Sequence, residues 1–527
     1  MASTDIEPRP ATRRPGPYPS MTALRGPVVG VLTAGVTLAV ARLLAALVAP
    51  VSDPVLAVGG VAIDLAPQRL KAFAIRTFGA DDKIALLVGV YALLALAAVL
   101  LGAAAVRRRR YGLAGLAVFA AVGVAAVLSR PGATPSDVLP VLAGAGVGSA
   151  VMLMLARAAR TDRVGAPGRP RLLDRRQFLV TAAGAALTGG AAAAVGQAVG
   201  RGSTVGARSR AAVRLPPPVR QAPPLPAGVS VDVDGVSAFL TRNRDFYRVD
   251  TALTVPQVDL ETWRLTLDGA VDSPRTWRFE DLVARGLVER DITLNCVSNE
   301  VGGPYIGTAR WTGVPLAPLL REAGIRAGQN QLVSRSVEGM TIGTPLEAIL
   351  DGRDALLAVA MNGEPLPLEH GFPVRMLVPG LYGYVGACKW LTSMKVTTFD
   401  AFDPYWVQRG WAADAPVKTA SRIDTPKPFA QRRAGPVMIA GVAWAQRRGI
   451  AAVEVQVDDG PWQQARLAEG PSPDLWRQWT YRWDATPGSH TLRVRATDAT
   501  GATQTDARAA PFPDGATGWH STTVTIT

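Results

Sequence analysis

The chain has 527 residues, enough for two to four domains that each bury a core of their own. Its formal charge is +14, from 56 Lys and Arg against 42 Asp and Glu, but the densest basic clusters, 107–110 and 157–176, border apolar segments. Positive charge at such borders is typical of cytoplasmic loops held against anionic membrane lipid. The charge therefore indicates membrane lipid as a partner and argues against nucleic acid.

The first 200 residues predict a membrane domain. Ala, Val, Leu and Gly dominate them, and a helix that crosses a hydrocarbon core of about 30 Å needs about 20 apolar residues. Four stretches meet that length and a fifth, made mostly of Ala and Gly, is weaker: 27–49, 84–106, 111–128, 138–156 and 178–199. We predict a cytoplasmic tail over 1–26 and about five transmembrane helices within 27–200.

Basic residues set the orientation of these spans. They precede the first span, follow the second and follow the fourth, so they share one face if the segments alternate: Arg9, Arg13, Arg14, Arg25, Arg107, Arg108, Arg109, Arg110, Arg157, Arg160, Arg163, Arg169 and Arg171. The N terminus is then cytoplasmic, and the chain beyond the fifth span lies outside the cell membrane. Within the spans, Arg42 either snorkels or is functional, and Gly144 and Gly148 form a Gly-x-x-x-Gly pair that lets another helix approach.

None of the three histidines precedes residue 200, which excludes a membrane b-type haem held by two histidines. The bundle is therefore predicted to anchor the protein. Before the fifth stretch, "LLDRRQFLV" contains Arg175 and Arg176. A twin arginine followed by an apolar stretch resembles the signal of the route that exports folded proteins, and plain positive-inside charge is an equally open alternative.

The second half of the chain has the composition of an ordinary globular protein. Residues 201–228 are rich in Pro, which favours an extended tether. An α+β domain over 229–400 follows, with strands predicted at 263–267, 291–295, 374–378 and 391–397 and helices at 316–323 and 345–350. Residues 401–527 contain short alternating runs broken by Asp-Asp-Gly and Pro-Gly turns, which predict an immunoglobulin-like β-sandwich.

Several familiar motifs are missing from the sequence. It has no Gly-x-Gly-x-x-Gly after a strand, no Walker loop, no Cys-x-x-Cys and no His-Glu-x-x-His, so nicotinamide, nucleotide, iron–sulfur and zinc-protease functions have little support. Two cysteines, Cys296 and Cys388, would allow a disulfide in an exported domain. Cys296 ends a strand-like run in "DITLNCVSNEVGG", where a buried structural thiol, a nucleophile and a metal ligand are all open readings.

Three separated motifs resemble those of the sulfite oxidase family and occur in the family's order. They are "TRNRDFYRVD" (241–250), "TLNCVSNEVGGPYIGTARWTGVPLAPLL" (293–320) and "MNGEPLPLEHGFPVRMLVPGLYGYVGACKWL" (361–391). The resemblance covers 229–527 and implies a molybdopterin-binding oxidoreductase domain followed by the family's dimerisation-type domain. It also implies a Mo-molybdopterin cofactor and two-electron oxygen-atom transfer on a small sulfur compound or other oxide. An external electron donor or acceptor, either a protein or a quinone system, is implied as a partner, and a homodimer is compatible with it.

The resemblance also implies roles for individual residues. Cys296 matches the family's metal ligand, and a soft thiolate suits molybdenum. Arg and Lys suit the phosphate of the pterin, and the positions that match the family's cofactor contacts are Asn243, Tyr247, Arg248, Cys296, Ser336, His370, Arg375, Ala387, Cys388 and Lys389. Arg242 matches a substrate arginine and is assigned, with Cys296, to catalysis.

Two departures from the family pattern leave the substrate open. Arginines that sulfite oxidases carry shortly after the ligand cysteine are absent from the Val-Ser-Asn-Glu that follows Cys296. Val359 stands where an active-site tyrosine is expected. A methionine sulfoxide reductase of the same family also lacks those arginines, although it has Asn where this chain has His370. A non-catalytic binding or assembly module that retains the fold is the alternative from a different class.

Overall fold

The computed structural model describes residues 21–48, 52–67, 82–130, 133–161, 179–191 and 205–527, together with positions 70, 73, 77, 193 and 194. The chain divides into two compact units, Met1–Gly202 and Ser203–Thr527.

The first unit is mostly helical over its described residues and contains α1 (Met21–Val48), α2 (Pro54–Leu65), α3 (Asp82–Arg107), α4 (Arg109–Leu128), α5 (Leu139–Thr161) and α6 (Leu179–Ala191). Of these, α1, α3, α4 and α5 are long and apolar enough to cross a membrane, which confirms four predicted spans as helices. The fifth span is described only as α6, which is shorter than the ~20 residues that a crossing needs. The twin arginine at 175–176 lies outside the described residues.

The Gly-x-x-x-Gly pair brings α5 against α1, as predicted. A Cβ at Gly144 would lie 2.6 Å from the carbonyl oxygen of Thr37, and one at Gly148 would overlap the Thr37 hydroxyl. Arg42 in α1 donates from Nε to Asp53 (2.9 Å) and from Nη1 to the Tyr91 hydroxyl (3.0 Å). The Arg42 charge is therefore paired within the protein, although half of the side chain is exposed.

The predicted tether is not simply extended. Residues 201–228 contain the helix α7 (Val205–Ala212). From this helix Arg210 donates from Nε to the carbonyl oxygen of Pro365 (3.1 Å) and pairs with Glu364 (2.7 Å). These contacts reach a strand more than 150 residues away and hold the helix against the rest of the second unit. The prediction of an extended tether is therefore wrong for residues 205–212.

The α+β domain contains two sheets and four short helices, and the predicted strands and helices are confirmed. Its helices are α8 (Phe279–Val283), α9 (Leu316–Ala323), α10 (Leu346–Leu350) and α11 (Gly383–Gly386). Its strands are β1 (Leu265–Gly269), β2 (Arg275–Trp277), β3 (Val288–Asn295), β4 (Ile306–Pro315), β5 (Gln331–Ser336), β6 (Thr341–Pro345), β7 (Leu356–Met361), β8 (Glu364–Pro365), β9 (Arg375–Leu377) and β10 (Leu391–Thr397). One sheet has the order β2-β1-β10-β5-β6 and the other β3-β4-β7-β8, with β9 on β7.

The C-terminal region is β-rich and consists of two sheets around a common core. Its strands are β11 (Ala420–Thr425), β12 (Gln431–Arg432), β13 (Gly435–Trp444), β14 (Ile450–Val457), β15 (Gln463–Gln464), β16 (Arg466–Leu467), β17 (Arg477–Ala485), β18 (Gly488–Asp498) and β19 (His520–Ile526). The sheets have the orders β11-β13-β17-β16 and β12-β19-β18-β14-β15. Ile439 and Trp479 from the first pack in one cluster with Val453, Leu492 and Val524 from the second, as expected for a β-sandwich.

The C-terminal β-rich region, residues 401–527, is called the sandwich region below. It is hydrogen-bonded directly to β3, the strand that leads to Cys296. Thr293 in β3 is fully buried; its amide donates to the Asp474 carbonyl oxygen (3.2 Å) and its hydroxyl accepts from the Trp476 amide (2.9 Å). The Gln446 side chain donates to the Thr293 carbonyl oxygen. Trp476 also donates from its indole to the Phe239 carbonyl oxygen (2.9 Å). The two regions are thus tied together within one chain.

Candidate cofactor site

Cys296 lies at the open end of the β3–β4 pair, directly after the last paired residues, Asn295 and Ile306. Its amide donates to the Tyr305 carbonyl oxygen (2.9 Å) and its carbonyl oxygen accepts from the Asn299 amide (3.0 Å). The side chain is partly buried. Burial raises the pKa of the Cys296 thiol, while hydrogen bonds from the Ser298 backbone and side chain, and then the positive charge of Lys389, oppose that rise. The metal-free thiol is therefore neutral at pH 7, and a bound metal would displace its proton.

The loop after Cys296 is held by its own asparagine and by the sandwich region. Asn299 is buried, and its Oδ1 accepts from the Tyr305 amide (2.9 Å). At Gly302 the φ of +80° is glycine-like, and a Cβ there would overlap the His520 ring. The carbonyl oxygen of Gly303 accepts from Arg422 Nη1 (2.7 Å). The loop residues that replace the expected arginines therefore shape the backbone.

Lys389 is a buried cation held from two sides. Its Nζ donates to Asp250 (2.6 Å) and to the carbonyl oxygen of Glu369 (3.2 Å). Its stem passes Gly371, whose φ is +112° and where a Cβ would lie 3.1 Å from Lys389 Cβ. Burial lowers the pKa of Lys389 to about 8, and the Asp250 carboxylate limits the fall. Most of the Lys389 side chains are therefore charged at pH 7.

Arg375, in β9, is a second buried cation and has unused hydrogen-bonding capacity. Its guanidinium lies 5.5 Å from the Trp311 ring centroid, and its Nη1 donates to the His370 carbonyl oxygen (3.4 Å). Arg375 Nε has no partner among the described residues. Burial lowers the pKa of Arg375, and the nearby Tyr247 and Asp250 oppose that effect.

His370 is buried and neutral. Its Nε2 lies 2.9 Å from the carbonyl oxygen of Asn243, and burial lowers the pKa of the imidazole to about 4. Since a carbonyl oxygen only accepts, Nε2 carries the proton and Nδ1 is left as an acceptor. Nδ1 has no partner among the described residues, so it is available to a ligand.

The "TRNRDFYRVD" segment supplies one wall of the site. Asn243 donates to the Met361 carbonyl oxygen (3.1 Å), which ties the segment to the end of β7. Tyr247 lies near Cys296 and Arg375, and burial, reinforced by Cys296, raises the pKa of its hydroxyl. Arg248 Nε donates to Asp250 (2.9 Å). The structure therefore brings most of the predicted cofactor contacts into one neighbourhood.

The side chains of three predicted residues have hydrogen-bonding partners only within a few residues of themselves in the chain. The Arg242 side chain is 69% exposed and pairs with Asp245 (2.6 Å). The Ser336 hydroxyl donates to the Met340 carbonyl oxygen (3.2 Å). Cys388 is fully buried, its Sγ lies 3.7 Å from the Lys389 carbonyl oxygen, and its own carbonyl oxygen accepts from the Met376 amide (2.9 Å).

The disulfide that the two cysteines would allow is absent, since both thiols are free. Ala387 belongs to the same short turn as Cys388, and its amide donates to the Gly383 carbonyl oxygen (2.9 Å). Asp250, which binds two of the predicted anchors, was not singled out from the sequence. Its position at the end of the "TRNRDFYRVD" motif, two residues after Arg248, was the available signal.

The donor set fits a phosphate-bearing pterin with a thiolate-bound metal. Two buried cations, Lys389 and Arg375, lie near the imidazole acceptor on His370, and Lys389 also lies near the Cys296 thiol. The unpartnered Arg375 Nε and His370 Nδ1 are the kind of buried polar atoms that need a ligand. When bound, the molybdenum centre supplies two-electron redox chemistry coupled to oxygen-atom transfer.

Comparisons with known proteins agree with this donor set. The family described as "oxidoreductase molybdopterin binding domain" matches residues 252–406. The mitochondrial sulfite oxidase of Rattus norvegicus is 30% identical over 287 residues, which cover 46% of this chain and 50% of that protein. The human enzyme is 29% identical over 303 residues, 49% of this chain and 54% of that protein. The chain thus spans about half the length of these curated relatives.

A bacterial relative is matched over more of its length. The uncharacterized oxidoreductase YuiH of Bacillus subtilis is 33% identical over 153 residues, 29% of this chain and 74% of that protein. Among solved structures, the sulfane dehydrogenase SoxCD of Paracoccus pantotrophus aligns with a TM-score of 0.46 and 24% identity, over 51% of this chain and 75% of that one. From the bacterial and mitochondrial relatives together with the matched domain, this chain belongs to the sulfite oxidase-like family of Mo-molybdopterin-dependent oxidoreductases.

Proposed function

We propose that the chain is a membrane-anchored, extracytoplasmic oxidoreductase that acts on a small sulfur compound, either adding an oxygen atom and taking two electrons from it or removing an oxygen atom and supplying two electrons. The observation that carries this proposal is the Cys296 thiol near the buried cation Lys389, in a neighbourhood where Arg375 Nε and the neutral His370 Nδ1 have no partner in the described residues. A soft thiolate and a cationic cradle are what a metal-bearing, phosphorylated pterin requires.

The residues of the site then divide by chemistry. Cys296 is the metal ligand. Arg375, Lys389 and Arg248 hold the pterin phosphate, and neutral His370 accepts a hydrogen bond through Nδ1. The remaining cofactor contacts are Asn243, Tyr247, Ser336 and the backbone of Ala387 and Cys388.

An uncharged S-oxide fits this site better than sulfite does. Sulfite is an anion, and its binding calls for cations that are free to meet it. Arg242 instead pairs with Asp245, the loop after Cys296 presents an exposed Glu300, and Val359 is a buried residue without a hydroxyl. We therefore propose sulfoxide-type chemistry, with Arg242 as an outer substrate contact.

Location and partners follow from the first unit and from the sequence. Four helices in the described residues are long and apolar enough for a membrane; basic residues border them on the side proposed to be cytoplasmic. The twin arginine is proposed to export the folded, cofactor-loaded domain. An external protein or quinone system would exchange electrons with the site. The proposed immunoglobulin-like sandwich contacts β3 through Gln446, Asp474 and Trp476, so a homodimer would use another surface.

The decisive experiment is expression of the full chain in a host that makes the molybdenum cofactor, followed by measurement of molybdenum and pterin per chain. Sulfite, methionine sulfoxide and other S- and N-oxides are then screened with artificial electron donors and acceptors. We expect sulfoxide reduction with little sulfite oxidation. Folded wild-type protein without molybdenum or pterin would defeat the proposal.

A pair of cysteine variants tests the ligand. Cys296→Ser is expected to lose molybdenum and turnover while retaining the fold, because the side chains are similar in size and Cys296 is only partly buried. Cys388→Ser is the matched control and is expected to retain molybdenum, since its thiol is fully buried against the Lys389 carbonyl oxygen. Equal molybdenum content in the two variants would refute the assignment of Cys296.

A further inference from the structure

Asp250 is a buried carboxylate shared by two predicted cofactor anchors. Its side chain is 1% exposed. It accepts from Lys389 Nζ at 2.6 Å and from Arg248 Nε at 2.9 Å. Lys389 lies 139 residues further along the chain, so the carboxylate joins two segments that only the fold brings together.

The bonds to Asp250 leave donors over for a ligand. A lysine ammonium has three donors, and Lys389 uses two of them, on Asp250 and on the Glu369 carbonyl oxygen. An arginine has five N–H donors, and Arg248 uses only Nε on the described residues. Both cations are therefore fixed in place and still able to donate to phosphate oxygens.

A carboxylate in an anion-binding pocket needs an explanation, because its charge repels a phosphate. Three cations lie near it: Lys389, Arg248 and Arg375, whose pKa Asp250 supports. Glu338 is a second carboxylate near Asp250 and Lys389, and burial raises its pKa, so at most two negative charges face the three cations and the site stays cationic. Without Asp250, the buried Lys389 ammonium would keep only the Glu369 carbonyl oxygen and the Trp390 ring (4.7 Å to the centroid) as partners, which is costly.

We propose that Asp250 is a positioning residue that holds Lys389 and Arg248 for the pterin phosphate, and that its loss releases the cofactor. The inference rests on the proposed site. It also explains how a long lysine side chain is kept at one position. The Lys389 stem packs so close to Gly371 that a Cβ there would crowd it, and Asp250 binds the ammonium at its end. Positioning before binding increases affinity because less side-chain freedom is lost with the ligand.

The test uses Asp250→Asn in the full chain, loaded in cells and purified. We expect loss of pterin from the folded protein to be about tenfold faster than in wild type, as for removal of one partner of a buried charge pair. The release of pterin is followed by its fluorescence, at a temperature at which circular dichroism shows the protein to be folded. Lys389→Met should also release pterin faster than wild type, and the acceleration in the double variant should be smaller than the product of the two single accelerations, because Asp250 acts partly through Lys389 and partly through Arg248.

Asp498→Asn is the matched control. Asp498 is also a buried aspartate, with a 2% exposed side chain paired to Arg448 (2.8 Å), but it lies in the sandwich region. It should lower thermal stability without accelerating pterin release. Release from Asp250→Asn at the wild-type rate, or equal acceleration in Asp498→Asn, would overturn the inference and leave the proposed function standing. Wild-type protein that never contains pterin would overturn the proposed function itself.

Discussion

The change Thr293→Val tests whether the sandwich region stabilises the strand that carries Cys296. Thr293 is fully buried, and valine has nearly the same shape. The substitution removes an acceptor for the Trp476 amide (2.9 Å) and a hydrogen bond to the Thr308 hydroxyl (2.5 Å). A buried polar group left without a partner costs about 1–3 kcal/mol, so two of them give a loss of about 2–6 kcal/mol.

Tryptophan fluorescence reports this loss selectively, because all 12 tryptophans lie after residue 262. At about 2–4 °C per kcal/mol, the unfolding midpoint of the full chain in detergent should fall by about 4–24 °C. Thr522→Val is the matched control, since Thr522 is buried and its hydroxyl has no partner among the described residues. If the two variants unfold at the same temperature, the hydrogen bonds of Thr293 do not stabilise the junction.

Two further changes have structural controls. Gly148→Leu should lower the thermal stability of the chain in detergent, because a Cβ at Gly148 would overlap Thr37. Gly146→Leu is the control and should not lower it, because a Cβ at Gly146 would have nothing within 4 Å. Equal effects of the two changes would refute helix packing at Gly148. Burial lowers the pKa of His520 to about 4, below the ~6.5 of an unfolded histidine, so the unfolded chain binds the proton first as pH falls. The free energy of unfolding should therefore decline from pH 6.5 toward pH 4. The decline should be less steep in His520→Asn, which retains an acceptor for the Ile423 amide (2.9 Å in the wild type). The same dependence of the unfolding midpoint on pH in the variant and the wild type would contradict this.

Local signals predicted individual elements well. The helix Leu316–Ala323 and the strand Leu391–Thr397 have the bounds that the sequence indicated, because a Pro precedes the helix, a Gly follows it, and β-branched residues dominate the strand's end. The helix Val205–Ala212 was missed. Its contacts through Arg210 reach residues 364–366, and no local pattern shows such a partner.

The candidate site was predictable only where a motif resembled a family. Cys296 and Lys389 were predicted in this way, because each stands inside a long matching segment. Asp250 carries no recognisable chemistry on its own, since an aspartate near an arginine is usually a surface pair. Its proposed role depends on a lysine 139 residues away. A pattern of neighbouring residues in the sequence does not predict such a pair.

The sandwich region constrains Cys296 from both sides in the chain. Upstream, Thr293 is bonded to Asp474 and Trp476; downstream, the carbonyl oxygen of Gly303 is bonded to Arg422. Within the short segment between these points, Asn299 Oδ1 accepts a hydrogen bond from the Tyr305 amide. An arginine at that position would have to give up the bond to the Tyr305 amide and leave a buried site. The absence of an arginine at position 299 is therefore part of how this loop folds. It connects the proposed preference for an uncharged substrate with the way in which the strand before Cys296 is held.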